Sequence, residues 1–344
     1  MTVTVAVDAN GADLGPAEVL AGAGDAVAAS HGALRVLFFA DTTGLTAPDG
    51  VTLVHAPVSI AKAAEPAAAA RSTPDASVVQ AAKAVADGRA DALVSGGSTG
   101  AALAASLFAI KRARGIHRPA LAMTIPIPAH PFLLLDVGAN VAVRPEHLVQ
   151  FAHMGAAYSE VALGIEKPRV ALLSNGTEAT KGTEDVQAAH AALAGVPGFI
   201  GSVEGFAVGT GKADVIVTDG FTGNVMLKTM EGVSSALLGA VRTAALSSVR
   251  AKAGGLLLKP ALRGLRDEVE PSEHGGAVLL GLRKVGVVPH GSFGARGFQR
   301  AIEVAAKTVR ADVVGRTYTR LEAAGALRER PSVASAPAPM VPDR

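Results

Sequence analysis

Five times along this 344-residue chain a short apolar run stops at a cluster of glycine and polar residues, and a helical pattern follows. Residues 3–7 run into Asp8-Ala9-Asn10-Gly11, residues 90–94 into Ser95-Gly96-Gly97-Ser98-Thr99-Gly100, and residues 132–135 into Asp136-Val137-Gly138-Ala139-Asn140. Residues 170–173 run into Ser174-Asn175-Gly176, and residues 213–217 into Thr218-Asp219-Gly220-Phe221-Thr222-Gly223-Asn224. Short continuous apolar runs of this kind suit strands buried on both faces. Strands that alternate with helices build a mostly parallel sheet, with helices on both faces. The expected fold class is therefore α/β. Ligands of such sheets bind beyond the carboxyl ends of the strands. The five loops are accordingly expected to meet in one polar cleft at one edge of the sheet.

Each loop has a chemical reading beside a structural one. Asp8, Asn10 and Asp13 could orient a substrate or hold a cation, or they could serve turns and helix caps. The Ser95–Gly100 loop is a phosphate-cradle candidate. It lacks the Gly-Lys-Ser/Thr ending of a nucleotide P-loop and the full dinucleotide fingerprint. Lys181 lies just before a helix expected over 184–193. Backbone N–H groups, the helix dipole and a mobile ammonium would together favour an anion there. His147, near the start of a helix, and His290, at the end of a strand over 285–288, are the two histidines considered as acid or base.

Composition narrows the chemistry. No cysteine is present, which excludes disulfides, thiolate metal sites and a cysteine acyl-enzyme. The net charge of +2 gives no global case for nucleic acid. The first residues lack a signal-peptide pattern, and no apolar run is long enough to span a bilayer. A cytoplasmic location is expected.

Residues 234–266 break the pattern, carrying Arg242, Arg250, Lys252, Lys259, Arg263 and Arg266 and no acid. Leu258, Leu262 and Leu265 fall at helical spacing, and Lys259, Arg263 and Arg266 repeat it one position on. With a turn permitted at Gly254-Gly255, this reads as a basic amphipathic hairpin over about 234–268. An anionic membrane surface, or an acidic protein, would attract such a hairpin; a dimer-forming or core helix pair with solvated basic residues is the structural alternative. One domain is expected over 1–325, followed by a disordered tail over 326–344, rich in Pro, Ala and Ser.

The motifs Ser95-Gly96-Gly97-Ser98-Thr99-Gly100-Ala101, Leu135-Asp136-Val137-Gly138-Ala139-Asn140, Pro145-Glu146-His147-Leu148 and Lys181-Gly182-Thr183-Glu184 occur in order. They are followed by Asp219-Gly220-Phe221-Thr222-Gly223-Asn224, Gly275-Gly276-Ala277 and His290-Gly291-Ser292. With them the chain resembles the PlsX family of phosphate acyltransferases over roughly residues 1–310. The resemblance implies a Rossmann-like fold similar to isopropylmalate dehydrogenases and phosphotransacetylases, with an inserted helical hairpin. It also implies a homodimer, peripheral contact with the inner face of the cell membrane, and transfer of a fatty acyl group from acyl-acyl carrier protein to inorganic phosphate. The acyl-phosphate would pass to a membrane glycerol-3-phosphate acyltransferase in phospholipid synthesis. Two departures stand out. The opening is Asp8-Ala9-Asn10-Gly11-Ala12-Asp13 where the family resembles Asp-Ala-Met-Gly-Gly-Asp, and Phe206-Ala207 stands where the family often has Arg-Asp.

Phosphate would itself attack the thioester, so no enzyme nucleophile is required. The expected cradle for phosphate or oxyanion is Lys181 with Ser98, Thr99 and Asn224. Asp8, Gly97, Gly100, Asp136, Asn140, Asn175, Gly176, Asp219, Gly223 and His290 are further expected ligand contacts, and His147 or His290 the proton donor. No cofactor and no assembled metal site are expected, although Asp8, Asp13 and Asp136 could hold a cation. The alternatives are a phosphotransacetylase-type enzyme using acyl-coenzyme A, a dehydrogenase, or a non-catalytic acyl-carrier or membrane-binding scaffold.

Overall fold

A computed structural model describes residues 1–269 and 271–328; within these, the side chains of 261–263, 265–269 and 271 lie outside the description. Eleven strands form one sheet among the described residues. They are β1 (Val3–Asp8), β2 (Leu34–Ala40), β3 (Val51–His55), β4 (Ala92–Ser95), β5 (Ala120–Ile125), β6 (Phe132–Leu135), β7 (Val170–Leu173), β8 (Phe199–Val203), β9 (Val215–Val217), β10 (Ala277–Leu280) and β11 (Val285–Val288). Their order across the sheet is β3-β2-β1-β4-β11-β10-β5-β6-β9-β7-β8.

Alternate residues of one strand enter opposite cores. Val5 and Val7 join one apolar cluster and Ala6 the other. The first cluster is covered by α1 (Pro16–Ala29), α5 (Pro145–Ala162), α9 (Ala295–Arg310) and α10 (Val313–Ala323). The second is covered by α2 (Pro66–Ser72), α3 (Ser77–Ala86) and α4 (Thr99–Ala109). The remaining helices are α6 (Glu184–Leu193), α7 (Gly220–Leu246) and α8 (Val249–Val269). The α/β class and mostly parallel sheet expected from the sequence are thus present.

The single polar cleft is not. β10 pairs antiparallel with both β11 and β5, and β5 pairs antiparallel with β6. All other pairs are parallel. The carboxyl ends of β1, β4 and β11 therefore open on one edge, and those of β6, β9 and β7 on the opposite edge. The sequence reading assigned no strand to residues 120–125 or 277–280, so the three reversals at the centre stayed hidden.

Two further boundaries differ. The hairpin turns at Ser247-Ser248, not at Gly254-Gly255, which lie inside α8. Ser247 Oγ donates to the Ala244 carbonyl and Ser248 Oγ accepts the Ala251 N–H, which ends one helix and starts the next. Residues 326–328 also belong to the body: Gln150 Nε2 donates to the Ala326 carbonyl, and Arg328 N–H to the Gly115 carbonyl. The rest of the expected tail lies outside the described residues.

Candidate functional site

The first edge is built around Asp8. Its carboxylate is buried at the end of β1, where Ser77 Oγ donates to Oδ1 at 2.6 Å and Ser95 Oγ to Oδ2 at 2.7 Å. Burial pushes the Asp8 carboxyl above its usual range, against the two serine hydrogen bonds that favour the charge. Ser77 opens α3 and Ser95 ends β4, so one carboxylate ties three elements together. Gly11 meets Gly97 at a close approach; a Cβ on Gly11 would lie 2.5 Å from Gly97 Cα. Ser98 then caps α4, its Oγ accepting the Ala101 N–H at 3.3 Å. The N–H groups of Thr99 and Gly100, in the first turn of α4, have no protein acceptor among the described residues. The β11 loop borders this rim. His290 is exposed, its Nδ1 lies 2.8 Å from Ser292 Oγ, and Gly291 accepts the Asp13 N–H at 2.9 Å.

The second edge is built around Asp136, which is fully buried. Its Oδ1 accepts N–H groups of Leu121, Gly138 and Ala139; Oδ2 accepts both the Asn140 N–H and Asn140 Nδ2. Asn140 also donates to the Pro119 carbonyl at 2.7 Å and accepts the Gly220 N–H at 2.7 Å. These two side chains spend their hydrogen bonds on the protein, and the result is a socket for the start of α7. Gly223 fits it because a Cβ would overlap the Asp136 carbonyl oxygen. Asp219 caps α7 through Thr222, at 2.8 Å to the N–H and 2.7 Å to the hydroxyl. Asn224, one residue beyond Gly223, is exposed.

Lys181 is exposed at the same edge and lies over buried Gly176. Asn175 Oδ1 accepts the Gly182 N–H at 2.9 Å, and Thr183 caps α6. The first turn of α6 already carries Glu184 and Asp185. Those carboxylates answer the helix dipole and repel a further anion. His147 is buried on α5, its Nδ1 accepting the Arg144 N–H at 3.1 Å; burial lowers its pKa and keeps it neutral. Its proton then sits on Nε2. His117, Glu146 and His147 gather their ligand atoms within 4.8 Å. Ligation through Nε2 would require that proton on Nδ1, where the Arg144 N–H already points, so this group does not suit a metal ion.

The structure thus brings Asp8, Gly97, Ser98, Thr99, Gly100 and His290 together on the first edge. It gathers Asp136, Asn140, Asn175, Gly176, Lys181, Asp219, Gly223 and Asn224 on the second. Six strand positions separate β4 from β7, roughly 30 Å at about 4.8 Å per strand. One phosphate cannot touch Ser98 and Lys181 of the same chain. Ser77 escaped the sequence reading because it lies 69 residues from Asp8 in an ordinary helix start.

A family model described as "Fatty acid synthesis protein" matches residues 3–316. A phosphate acyltransferase of Moorella thermoacetica is 43% identical over 318 residues, covering 90% of this chain and 93% of its own. One from Heliobacterium modesticaldum is 44% identical over 320 residues, covering 90% and 95%. Among solved structures, a phosphotransacetylase from Streptococcus pyogenes superimposes with a TM-score of 0.59 at 15% identity, over 90% of this chain and 94% of that one. A branched-chain phosphotransacylase from Enterococcus faecalis gives 0.57 at 18%, over 90% and 99%. At those identities the structural likeness concerns the fold.

Proposed function

The chain belongs to the phosphate acyltransferase family, and from that premise we propose that it takes a fatty acyl group from acyl-acyl carrier protein and releases acyl-phosphate for phospholipid synthesis. Membership makes it an acyltransferase with phosphate as acyl acceptor. A phosphate oxygen attacks the thioester carbonyl carbon, the tetrahedral oxyanion collapses, and the C–S bond breaks with the electron pair leaving on sulfur. The protein's task is to hold phosphate and stabilise the oxyanion.

The observation that carries the phosphate assignment is the first-edge rim. Asp8 fixes the Ser95 loop, and the start of α4 leaves the Thr99 and Gly100 N–H groups without a protein acceptor beside the Ser98 and Thr99 hydroxyls. His290 on this edge is the better placed proton donor, since His147 Nδ1 serves the α5 cap. Lys181 and Asn224 enter the proposal through the second copy of a homodimer, whose second edge meets the first edge of its partner. The α7–α8 hairpin supports peripheral membrane contact at the cytoplasmic face: Val233, Leu237, Leu238, Leu256 and Leu257 are exposed. No described helix is long and apolar enough to cross a membrane. The acyl-phosphate would then reach a membrane glycerol-3-phosphate acyltransferase.

The deciding assay is phosphate-dependent release of acyl-phosphate from acyl-acyl carrier protein. Release from coenzyme A thioesters with none from the carrier would replace this reading by a phosphotransacetylase-type activity.

A further inference from the structure

Beside the second edge, three distant segments are knitted into one small platform. The loop between α4 and β5 bonds to the β10–β11 turn: Ala113 N–H donates to the Gly281 carbonyl, and Arg283 N–H to the Lys111 carbonyl. Arg328 N–H closes the third side on the Gly115 carbonyl at 2.7 Å. The loop contributes Lys111, Arg112, Arg114 and Arg118, all exposed. The turn adds exposed Arg283 and Lys284, and exposed Arg328 completes the set. Among the described residues none of these cations forms an ion pair with a carboxylate. Several arginines elsewhere do hold carboxylates: Arg169 pairs with Asp214, Arg300 with Glu273 and Glu303, and Arg320 with Glu160. The bordering acids are already engaged. Asp91 accepts the Thr4 N–H at 2.9 Å, and Glu146 faces Arg144. Arg328, Arg112 and Arg144 all lie near enough to His117 to disfavour its protonation, after burial.

Like charges held together without counter-charge oppose the compact state. A chain of net charge +2 gathers this excess locally, which is the footprint of a polyanionic partner. The three segments expose no large apolar side chain, so they offer a bilayer nothing to insert. Their one aromatic ring, the half-buried His117, already faces His147 at 5.7 Å, which leaves no exposed ring on which a nucleic-acid base could stack. An acidic protein surface needs neither feature.

We propose that this platform docks the acidic carrier protein that brings the acyl thioester. The proposal rests on the acyl-carrier reading above and gives that partner its place. The platform adjoins the Asp136–Asn140 socket through Pro119 and Leu121. A carrier seated there stands beside the edge assigned to the shared site.

The test compares the full chain with an Arg114→Glu/Arg118→Glu/Lys284→Glu variant and its milder triple-Gln counterpart. The substrates are acyl-acyl carrier protein and acyl-pantetheine, a small uncharged thioester. Carrier binding is also titrated directly, without phosphate, across a salt series. The expected result is a KM for the carrier substrate raised about tenfold or more in the Glu variant, with a weaker salt dependence. The Gln variant falls between, and kcat/KM for acyl-pantetheine is unchanged. Equal losses on both thioesters, or undiminished carrier binding by the variants, would overturn the surface. Loss of vesicle or RNA retention with carrier binding intact would reassign it and also overturn it. If wild type uses coenzyme A thioesters but neither binds nor uses the carrier, the donor reading falls together with the surface. If wild type binds the carrier and the variants bind equally well, the surface alone falls.

Discussion

Asp8 shows how one buried carboxylate can fix the geometry of a whole loop. Truncation in Asp8→Ala leaves the Ser77 and Ser95 hydroxyls without their acceptor, at about 1–3 kcal/mol for each unsatisfied group. The expected outcome is a lower Tm and a raised KM for phosphate, both partly rescued in Asp8→Asn. An Asp8→Ala enzyme with wild-type values of both would remove it from the site's framework. His153 makes a pH prediction. Burial, then nearby Arg320, holds its pKa down to about 4, against 6.5 for the free side chain. Between those values the unfolded chain binds a proton that the folded chain refuses. Stability is therefore complete above about pH 6.5 and declines as pH falls toward about 4, by roughly 3 kcal/mol in all. His153→Gln should flatten the fall of Tm between pH 7 and pH 5, and an unchanged slope would refute the assignment. At this scale the sequence showed which residues were chemically unusual, but not which way they pointed. Asp136 and Asn140 were legible as a polar pair at a strand end. Their inward hydrogen bonds depend on β5 and α7, far along the chain.

The hairpin was legible as an element because amphipathic spacing is a local property. Its turn was not, because glycine permits a turn without demanding one, and a helix tolerates each glycine at about 1 kcal/mol. Serine hydroxyls that cap the two helix ends decided the matter. Only the first turns of α7 are held by the sheet, through Gly220, Gly223 and the partly buried Met226, Leu227 and Met230. Beyond them the exposed apolar side chains await a surface. Sedimentation with anionic vesicles checks this. Removing three charges by Lys259→Gln, Arg263→Gln and Arg266→Gln should weaken binding by roughly a hundredfold, at about 1 kcal/mol per basic residue near such a surface. Binding that persists undiminished would leave no electrostatic role for the three. The side chains of Leu262, Arg263, Leu265 and Arg266 lie outside the described residues, so for these positions the prediction rests on helical spacing alone.

At the level of the molecule, the α/β class and most strands could be read from apolar runs, but the direction of the sheet could not. Strand polarity is a long-range property, and the three antiparallel junctions around β10 and β5 at the centre reverse it. The functional consequence is testable by mixing. Thr99→Asp introduces a carboxylate that suits a helix start while repelling phosphate, and Lys181→Glu reverses the charge on the other edge. If the site is shared between two copies, each variant alone is inactive, and co-expressed equal amounts regain about a quarter of wild-type activity through mixed dimers. No recovery would confine each site to one chain and remove Lys181 from the chemistry. The same central strands also set an order on synthesis. β11 pairs with β4 across about 190 residues of sequence, and β10 pairs with β5. While the chain is being made, β4 and β5 keep unpaired edges until the last fifth emerges, after the amphipathic hairpin has already left the ribosome. The interval in which this protein is most exposed to aggregation is thus written into its strand order, and a nascent chain halted before residue 277 should be the form that a chaperone holds longest.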